Sequence, residues 1–183
     1  MRRIVLAAVL CLPAIAASAA GFTVSTPDFR NGSTIPMAQL FNQDGCTGGN
    51  ESPALSWSGE PAGTQSFAVT MFDPDAPTGS GWWHWTVFNI PSTVHSLPEN
   101  AGASDSTQLP PGAIQGRNDY GFSAYGGPCP PPGRPHRYIV TVYALKVPKL
   151  PLDAQSSGAM VGFMLHSNSL AAASTMGRYG RPR

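Results

Sequence analysis

Charged residues are scarce in this sequence. Asp, Glu, Lys and Arg make up 11% of its 183 residues, and the formal net charge is +1. A typical globular protein carries about 25% of these residues. A domain that binds nucleic acid through its phosphates presents a basic face. The composition therefore predicts no nucleic-acid partner.

The common catalytic and nucleotide-binding motifs are absent as well. The chain contains no Gly-rich nucleotide loop, no HExxH and no GxSxG sequence. No serine has a local motif that marks it as a nucleophile, so any hydrolase would depend on Asp and His alone. No cysteine pair has the CxxC or CxH spacing of a zinc site. We therefore predict neither a cofactor nor a metal.

The first 20 residues have the pattern of a secretory signal peptide. Arg2 and Arg3 precede an apolar segment at residues 4–15, and Ala-Ser-Ala at residues 17–19 forms a cleavage site. The apolar segment is short for a membrane span, although an uncleaved N-terminal anchor is the alternative. We expect a mature chain that starts at Ala20 or Gly21, is periplasmic or secreted, and keeps no transmembrane anchor.

Glycine and proline are abundant, because the 20 glycines and 19 prolines together make up 39 of the 183 residues. In an average protein the two together make up about 12% of the residues. With short apolar runs, this predicts one mainly β, loop-rich domain over residues 21–183. The predicted strands cover residues 22–24, 54–57, 67–72, 83–90, 113–115 and 137–145. Residues 35–40 are predicted as a strand or a single turn, residues 92–118 as a surface loop with one short strand, and residues 158–173 as a helix on the sheet.

Two cysteines, Cys46 and Cys129, remain after the predicted signal peptide is removed. An even number of cysteines in an oxidising compartment favours a disulfide. The alternative is two free thiols.

The chain is organised around residues 73–91, DPDAPTGSGWWHWTVFNIP. Two prolines fix the backbone around Asp73 and Asp75, so a rigid loop leads into a strand that contains His84. Residues 125–145 repeat this plan, with a Pro/Gly loop that leads to His136 and Tyr138. If these two units lie side by side, they form a small polar pocket at one end of a sheet.

Each of these polar residues also has an ordinary structural explanation. Asp73 and Asp75 can form a carboxylate pair for acid–base chemistry, but aspartates are equally common as turn formers. A single histidine near a strand, such as His84 or His136, is more often a hydrogen-bonded core residue than a functional one. The interpretation of these residues as a functional site requires that the two aspartates and the two histidines lie close together in the fold.

The motifs DPDAP, GWWHW and PPGRPHRY together resemble the phosphatidylethanolamine-binding protein (PEBP) family, in its bacterial Raf-kinase-inhibitor-like branch. The resemblance extends from about residue 22 to the C-terminal helix. It implies a β-sandwich-like fold with few peripheral helices. It also implies an anion-binding pocket formed by Asp73, Asp75, Pro77, His84, His136 and Tyr138, with Gly126, Gly127 and Pro128 in its wall. The wall loop here is richer in proline and contains Cys129, which departs from the family pattern.

The resemblance implies a non-enzymatic protein that binds a phosphate-bearing small molecule or lipid head group, such as phosphoethanolamine. Imidazoles and loop amides can donate hydrogen bonds to phosphate oxygens, and a carboxylate suits an ammonium group. The alternatives are a small hydrolase that uses Asp73 or Asp75 with His84 and His136, and an inhibitor of a kinase or protease whose target is unknown. The resemblance also implies a homodimer. Because the histidines would supply the positive charge, anion binding is expected to weaken as pH rises.

Overall fold

The computed structural model describes residues 21–183 and contains two β-sheets and one α-helix. The predicted signal peptide lies outside the described residues. The elements are β1 (Thr23–Ser25), a 3-10 helix (Met37–Gln39), β2 (Leu55–Ser58), β3 (Ser66–Asp73), β4 (Trp82–Pro91), β5 (Ser96–Leu97), β6 (Ile114–Gln115), β7 (His136–Leu145), α1 (Gly158–Asn168) and β8 (Ser169–Tyr179). The mainly β prediction with a late helix is confirmed.

Strand β3 is the centre of the larger sheet, whose order is β6-β4-β3-β7-β8. Seven of the eight residues of β3 are buried, as expected for an apolar run between two neighbouring strands. Both neighbours are antiparallel to it, with Asp73 opposite Trp82 of β4 and Phe72 opposite Ile139 of β7. The end of β3 therefore lies between the beginnings of β4 and β7. The two loop-and-strand units meet at one sheet end as predicted, but β3 separates their strands.

The hydrophobic core lies on both faces of the larger sheet. Phe67, Val69 and Trp85 belong to the main cluster, which includes Leu55, Trp57 and Leu97 of the smaller β1-β2-β5 sheet. A second cluster lies under α1, where Val161 and Leu165 pack with Ala68, Phe88 and Leu145. The helix begins after Ser157, whose side chain accepts a hydrogen bond from the Met160 amide. The predicted packing of the helix on the sheet is confirmed.

The prediction that the helix continues to residue 173 is wrong. Helix α1 ends at Asn168, and the chain continues directly into β8. Strand β8 pairs with all ten residues of β7, with one shift of register between Ala144 and Leu145. The alanines at 171–173 favour a helix by intrinsic propensity. Here the pairing with β7 prevails, because burial and cross-strand packing outweigh such small preferences. Strand β5 within the predicted 92–118 loop was also missed, while the short strand at 114–115 is confirmed.

Cys46 and Cys129 form a disulfide, with 6.0 Å between their Cα atoms. The bond joins the loop before β2 to the Pro-rich loop that precedes β7. The prediction of this pair is confirmed.

Candidate functional site

A cavity of about 410 Å³ opens at the sheet end where β3, β4 and β7 meet. Five of the predicted site residues line it: Asp73, Pro77, His84, His136 and Tyr138. The remaining lining residues are Asp44, Ala76, Thr78, Trp82, Asp119, Tyr120, Cys129, Pro130 and Pro131. Imidazoles, carboxylates and aromatic rings thus converge in one small cavity, and none of its lining residues within 21–183 is Lys or Arg.

Asp73 and His136 form the most buried polar pair of the cavity. The Asp73 Oδ2 atom lies 2.7 Å from Nδ1 of His136, and Oδ1 accepts a hydrogen bond from the Asp75 amide at 2.8 Å. Both carboxylate oxygens are therefore engaged. A carboxylate at Nδ1 places the imidazole proton there, so Nε2 of the neutral ring is left as the atom available to a ligand.

His84 is held by a main-chain carbonyl. Its Nδ1 donates to the Gly126 oxygen at 2.6 Å, because a carbonyl can only accept. Burial lowers the pKa of His84 to about 4, although the hydrogen bond to Gly126 opposes that shift. The ring is therefore neutral near pH 7, and Nε2 is a hydrogen-bond acceptor. The expectation that His84 supplies positive charge is wrong, because an isolated charge is unfavourable in so buried a position.

Asp75 does not line the cavity. Its carboxylate faces β7, where Oδ2 accepts from the Arg137 amide and from Nε, and Oδ1 accepts from Nη2, each at 2.9 Å. The bidentate contact with Arg137 holds the pKa of Asp75 well below its usual range. Its role in this arrangement is structural, since it fixes the DPDAP loop to the start of β7.

Gly126, Gly127 and Pro128 support the cavity from behind rather than line it. The Gly126 and Gly127 carbonyls accept from His84 and from the Tyr120 hydroxyl, and the Pro128 carbonyl accepts from the Phe41 amide. A Cβ atom at position 127 would lie 2.2 Å from the Gln39 carbonyl oxygen. Only glycine permits this close approach, which brings the wall loop next to the loop at residues 39–41.

Aromatic side chains form one wall of the cavity. The Tyr120 ring stacks on Phe41 with centroids 4.1 Å apart and meets Trp82 edge to face at 5.2 Å. Tyr138 is completely buried, and its hydroxyl has no hydrogen-bond partner within the described part of the chain. Burial raises the pKa of Tyr138, so this hydroxyl remains a neutral donor.

Four lining residues with a carboxylate or an aromatic ring were missed by the sequence analysis, namely Asp44, Trp82, Asp119 and Tyr120. Strand alternation could have identified Trp82, because residues 82 and 84 share one face of β4. The other three lie in irregular loops, where no periodicity in the sequence indicates which way a side chain points. Proximity to Cys46 was the only signal for Asp44.

Among residues 21–183, no group of three or more His, Cys, Asp or Glu side chains has the geometry of a metal site. The same residues include no helix that is long and apolar enough to cross a membrane.

Comparisons with known families and proteins show what this chain is similar to. The profile of the family described as phosphatidylethanolamine-binding protein matches residues 25–180. The chain is 53% identical to YbcL of Escherichia coli over 174 residues, and this aligned region covers 94% of this chain and 95% of YbcL. It is 50% identical to YbhB of the same organism over 147 residues, and this aligned region covers 80% of this chain and 92% of YbhB.

Two solved structures extend the comparison to three dimensions. The crystal structure of E. coli YbcL, described as a new member of the mammalian PEBP family, matches with a TM-score of 0.86 and 54% identity, covering 88% of this chain and 99% of that chain. A putative PEBP homolog from Chlamydia trachomatis matches with a TM-score of 0.73 and 29% identity, covering 88% of this chain and 98% of that chain. The chain belongs to the phosphatidylethanolamine-binding protein family.

Proposed function

We propose that this chain is an exported, non-enzymatic protein whose cavity binds a phosphate-bearing small molecule or lipid head group, such as phosphoethanolamine. One observation carries the proposal. His84 and His136 both line the cavity, and each has its Nδ1 atom occupied by a protein oxygen. Both rings can therefore offer Nε2 to one ligand.

The two imidazoles offer different chemistry to that ligand. His84 is neutral at pH 7 and can accept a hydrogen bond at Nε2. His136, paired with the Asp73 carboxylate, can donate at Nε2 when it is protonated. A phosphate ester that retains one proton has both an acceptor oxygen and a donor hydroxyl, and its second pKa is about 6. The pair of histidines thus fits a monoanionic phosphate.

This chemistry sets the expected pH dependence. Above about pH 6, the phosphate loses the proton that His84 would accept. Binding therefore weakens as pH rises. The few contacts available predict a modest affinity of about −4 to −6 kcal/mol, which corresponds to roughly millimolar to tens of micromolar.

Calorimetric titration with inorganic phosphate and phosphoethanolamine at about pH 6 and about pH 8 tests the proposal. We expect tighter binding at the lower pH and a loss of about tenfold or more in both His136→Ala and His84→Asn, in the range of a charged or buried hydrogen bond. The matched control is His166→Ala, because His166 is exposed on α1 and does not line the cavity. Equal affinity of the wild type and both cavity variants would refute the proposal.

A hydrolase is the second candidate, and the Asp73–His136 contact of 2.7 Å specifically favours it. A carboxylate that orients a histidine is the arrangement of a general base. Against it, no serine or free cysteine thiol lines the cavity within residues 21–183, since Cys129 is in a disulfide, and the Thr78 hydroxyl donates to the Gly81 carbonyl. A screen of phosphate and carboxyl esters decides between the two. Turnover that disappears in His136→Ala supports the hydrolase, whereas binding without turnover supports the binding protein.

The remaining proposals concern localisation, a protein target and oligomeric state, and they do not depend on the geometry of the cavity. We propose that the protein acts in the periplasm or outside the cell, which the Cys46–Cys129 disulfide supports. Inhibition of a kinase or protease, and assembly into a homodimer, are retained as proposals. A protein target whose binding survives His136→Ala would identify an inhibitory surface separate from the cavity, and light scattering of the purified protein would test the dimer.

A further inference from the structure

Three carboxylates line the cavity, and two of them are occupied by protein groups. Asp73 binds His136 and the Asp75 amide. Asp119 accepts a hydrogen bond from the Trp83 amide at 2.7 Å. Asp44 makes no side-chain hydrogen bond or ion pair with any residue in the described range. Within residues 21–183, Asp44 is thus the lining carboxylate with both oxygens free to meet a charged ligand group, whereas Asp119 has only Oδ1 free.

The backbone presents Asp44 at the tip of a tight turn. The Cys46 amide donates to the Gln43 carbonyl at 2.9 Å, and Asp44 and Gly45 both have positive φ, at 56° and 77°. Two positive φ values within such a hydrogen-bonded turn define type I′, for which Asp-Gly is a preferred pair. The local sequence therefore places the Asp44 side chain at a defined, exposed position.

The turn is fixed against the cavity wall by several contacts. Its loop closes through the hydrogen bond from the Gly48 amide to the Phe41 carbonyl at 2.8 Å. Phe41 then stacks on Tyr120 and donates to the Pro128 carbonyl, and the Cys46–Cys129 disulfide ties the far side of the turn to the same wall. The Cys129 Sγ atom lies 3.7 Å from the Asp44 carbonyl oxygen. The disulfide thus holds Asp44 beside the cavity.

We propose that Asp44 is the specificity-determining residue of the cavity and receives the cationic end of a zwitterionic phosphate ester, while the phosphate lies between the histidines. This inference rests on the proposed function. Asp73 is not available to the amine, because both of its carboxylate oxygens are engaged in the interior. The rings of Tyr120 and Trp82 line the same cavity, and aromatic rings attract ammonium groups.

The charge balance around the turn is consistent with this role. Arg181 is the basic side chain nearest to the turn in the contacts of the described chain, with Nη1 3.8 Å from the Cys129 sulfur. It forms no ion pair with Asp44. A ligand ammonium therefore does not have to break an ion pair, but the charge of Arg181, whose Nη2 atom would lie 3.5 Å from a Cβ atom at Gly45, opposes part of the attraction.

A matched pair of ligands tests the assignment. Phosphoethanolamine and propyl phosphate have chains of the same length, but one ends in ammonium and the other in methyl. Calorimetry of the full mature chain at about pH 6 should show tighter binding of phosphoethanolamine by about threefold, in the range of a solvent-exposed ion pair. In Asp44→Asn this preference should fall to about onefold. Propyl phosphate should bind Asp44→Asn as tightly as the wild type or more tightly, because a like charge is removed.

Two further variants separate Asp44 from its neighbours. Asp119→Asn keeps an oxygen for the Trp83 amide, and Asp105→Asn changes an exposed carboxylate that does not line the cavity. Both should retain the preference for phosphoethanolamine. A preference that survives in Asp44→Asn, or that disappears in Asp119→Asn instead, overturns the inference while leaving phosphate binding intact. Failure of both ligands to bind the wild type overturns the proposed function itself.

The role of the disulfide is tested with Cys46→Ser/Cys129→Ser. Without the bond, the turn is less restricted, so the preference for phosphoethanolamine should fall towards that of Asp44→Asn. Adding Asp44→Asn to this variant should then have little further effect, since coupled changes are not additive. An undiminished preference in the folded serine variant would remove the disulfide from the argument. If the serine variant does not fold, Asp44→Asn still decides the assignment.

Discussion

At the scale of single residues, His84 shows how a buried group of the candidate site can be a source of pH-dependent stability. Its side chain is 2% exposed, and its pKa falls to about 4 in the folded chain. In the unfolded chain an ordinary histidine has a pKa of about 6.5. Between these two values the unfolded state binds more protons, so the free energy of unfolding rises with pH and decreases on acidification.

The first prediction concerns this pH window. Acidification from about pH 7 to about pH 4 should cost the wild type about 3 kcal/mol of stability through His84, at 1.36 kcal/mol per pKa unit. His84→Asn keeps an amide that can donate to Gly126 but does not titrate. Urea unfolding at several pH values should give a flatter profile for His84→Asn in this range. Parallel profiles for the two proteins would contradict the prediction.

The second prediction concerns Asp75, whose pKa is lowered by Arg137. A carboxyl group with a depressed folded pKa stabilises the protein above its unfolded pKa of about 4, and this contribution is lost as pH falls below that value. Asp75→Asn should cost about 1–2 kcal/mol at pH 7, a discounted value because the Arg137 side chain is 45% exposed to screening water. The cost should shrink below about pH 4. Chemical denaturation of Asp75→Asn beside Asp105→Asn checks this, since the control should be within about 0.5 kcal/mol of wild type.

The candidate site was predictable to the extent that its residues lie at strand ends. His84, His136 and Asp73 flank strands whose apolar runs are clear in the sequence, so their convergence followed from the sheet. Asp75 was placed wrongly in the cavity, because hydrogen bonds to Arg137 of β7 set the direction of its side chain and no local pattern in the irregular DPDAP loop indicates them. Asp44 could not be found, because its position depends on a disulfide and on turn geometry that close only in the folded chain.

At the scale of secondary-structure elements, the boundary between α1 and β8 was the least predictable feature. Residues 169–173 read Ser-Leu-Ala-Ala-Ala, which suits a helix and has no β-branched residue. Long-range pairing with β7 determines their state, and a local pattern does not carry that information. Strands β3 and β4 were predictable because they are largely buried on both faces and therefore appear as apolar runs, and β7 was predictable from its alternating pattern.

The third prediction concerns the docking of α1 on β4. A Cβ atom at Gly158 would lie 2.2 Å from Cγ of Trp83, whereas one at Gly162 would lie 3.2 Å from the outer ring atom Cη2. Alanine is preferred over glycine inside helices by about 1 kcal/mol. Gly158→Ala should nevertheless destabilise the protein by about 1–3 kcal/mol through overpacking, and should cost more than Gly162→Ala. Thermal unfolding of the two variants tests this order. Equal or greater stability of Gly158→Ala would show that the helix can shift without cost.

At the scale of the whole molecule, one covalent bond connects regions that are distant in sequence. Cys46 and Cys129 are separated by 83 residues, and this interval contains β2 to β6. The bond therefore restricts a large part of the unfolded chain. It also fixes the wall of the cavity, since Cys129 lines it beside Pro130 and Pro131, which have no amide hydrogen with which to bond a neighbouring loop.

The last prediction follows from the size of this closed loop. Chain-entropy scaling gives a stabilisation of about 4–5 kcal/mol for a loop of this length, less any strain in the folded state. The chain produced with its N-terminal segment and exported to an oxidising compartment should contain no titratable thiol after processing. It should also unfold at a higher urea concentration than the same mature chain kept reduced. The increase should disappear in Cys46→Ser/Cys129→Ser, where oxidised and reduced samples have the same composition. Two free thiols per folded, exported chain would exclude the bond under these conditions. An oxidised chain no more stable than the reduced one would mean that the bond serves the cavity wall alone.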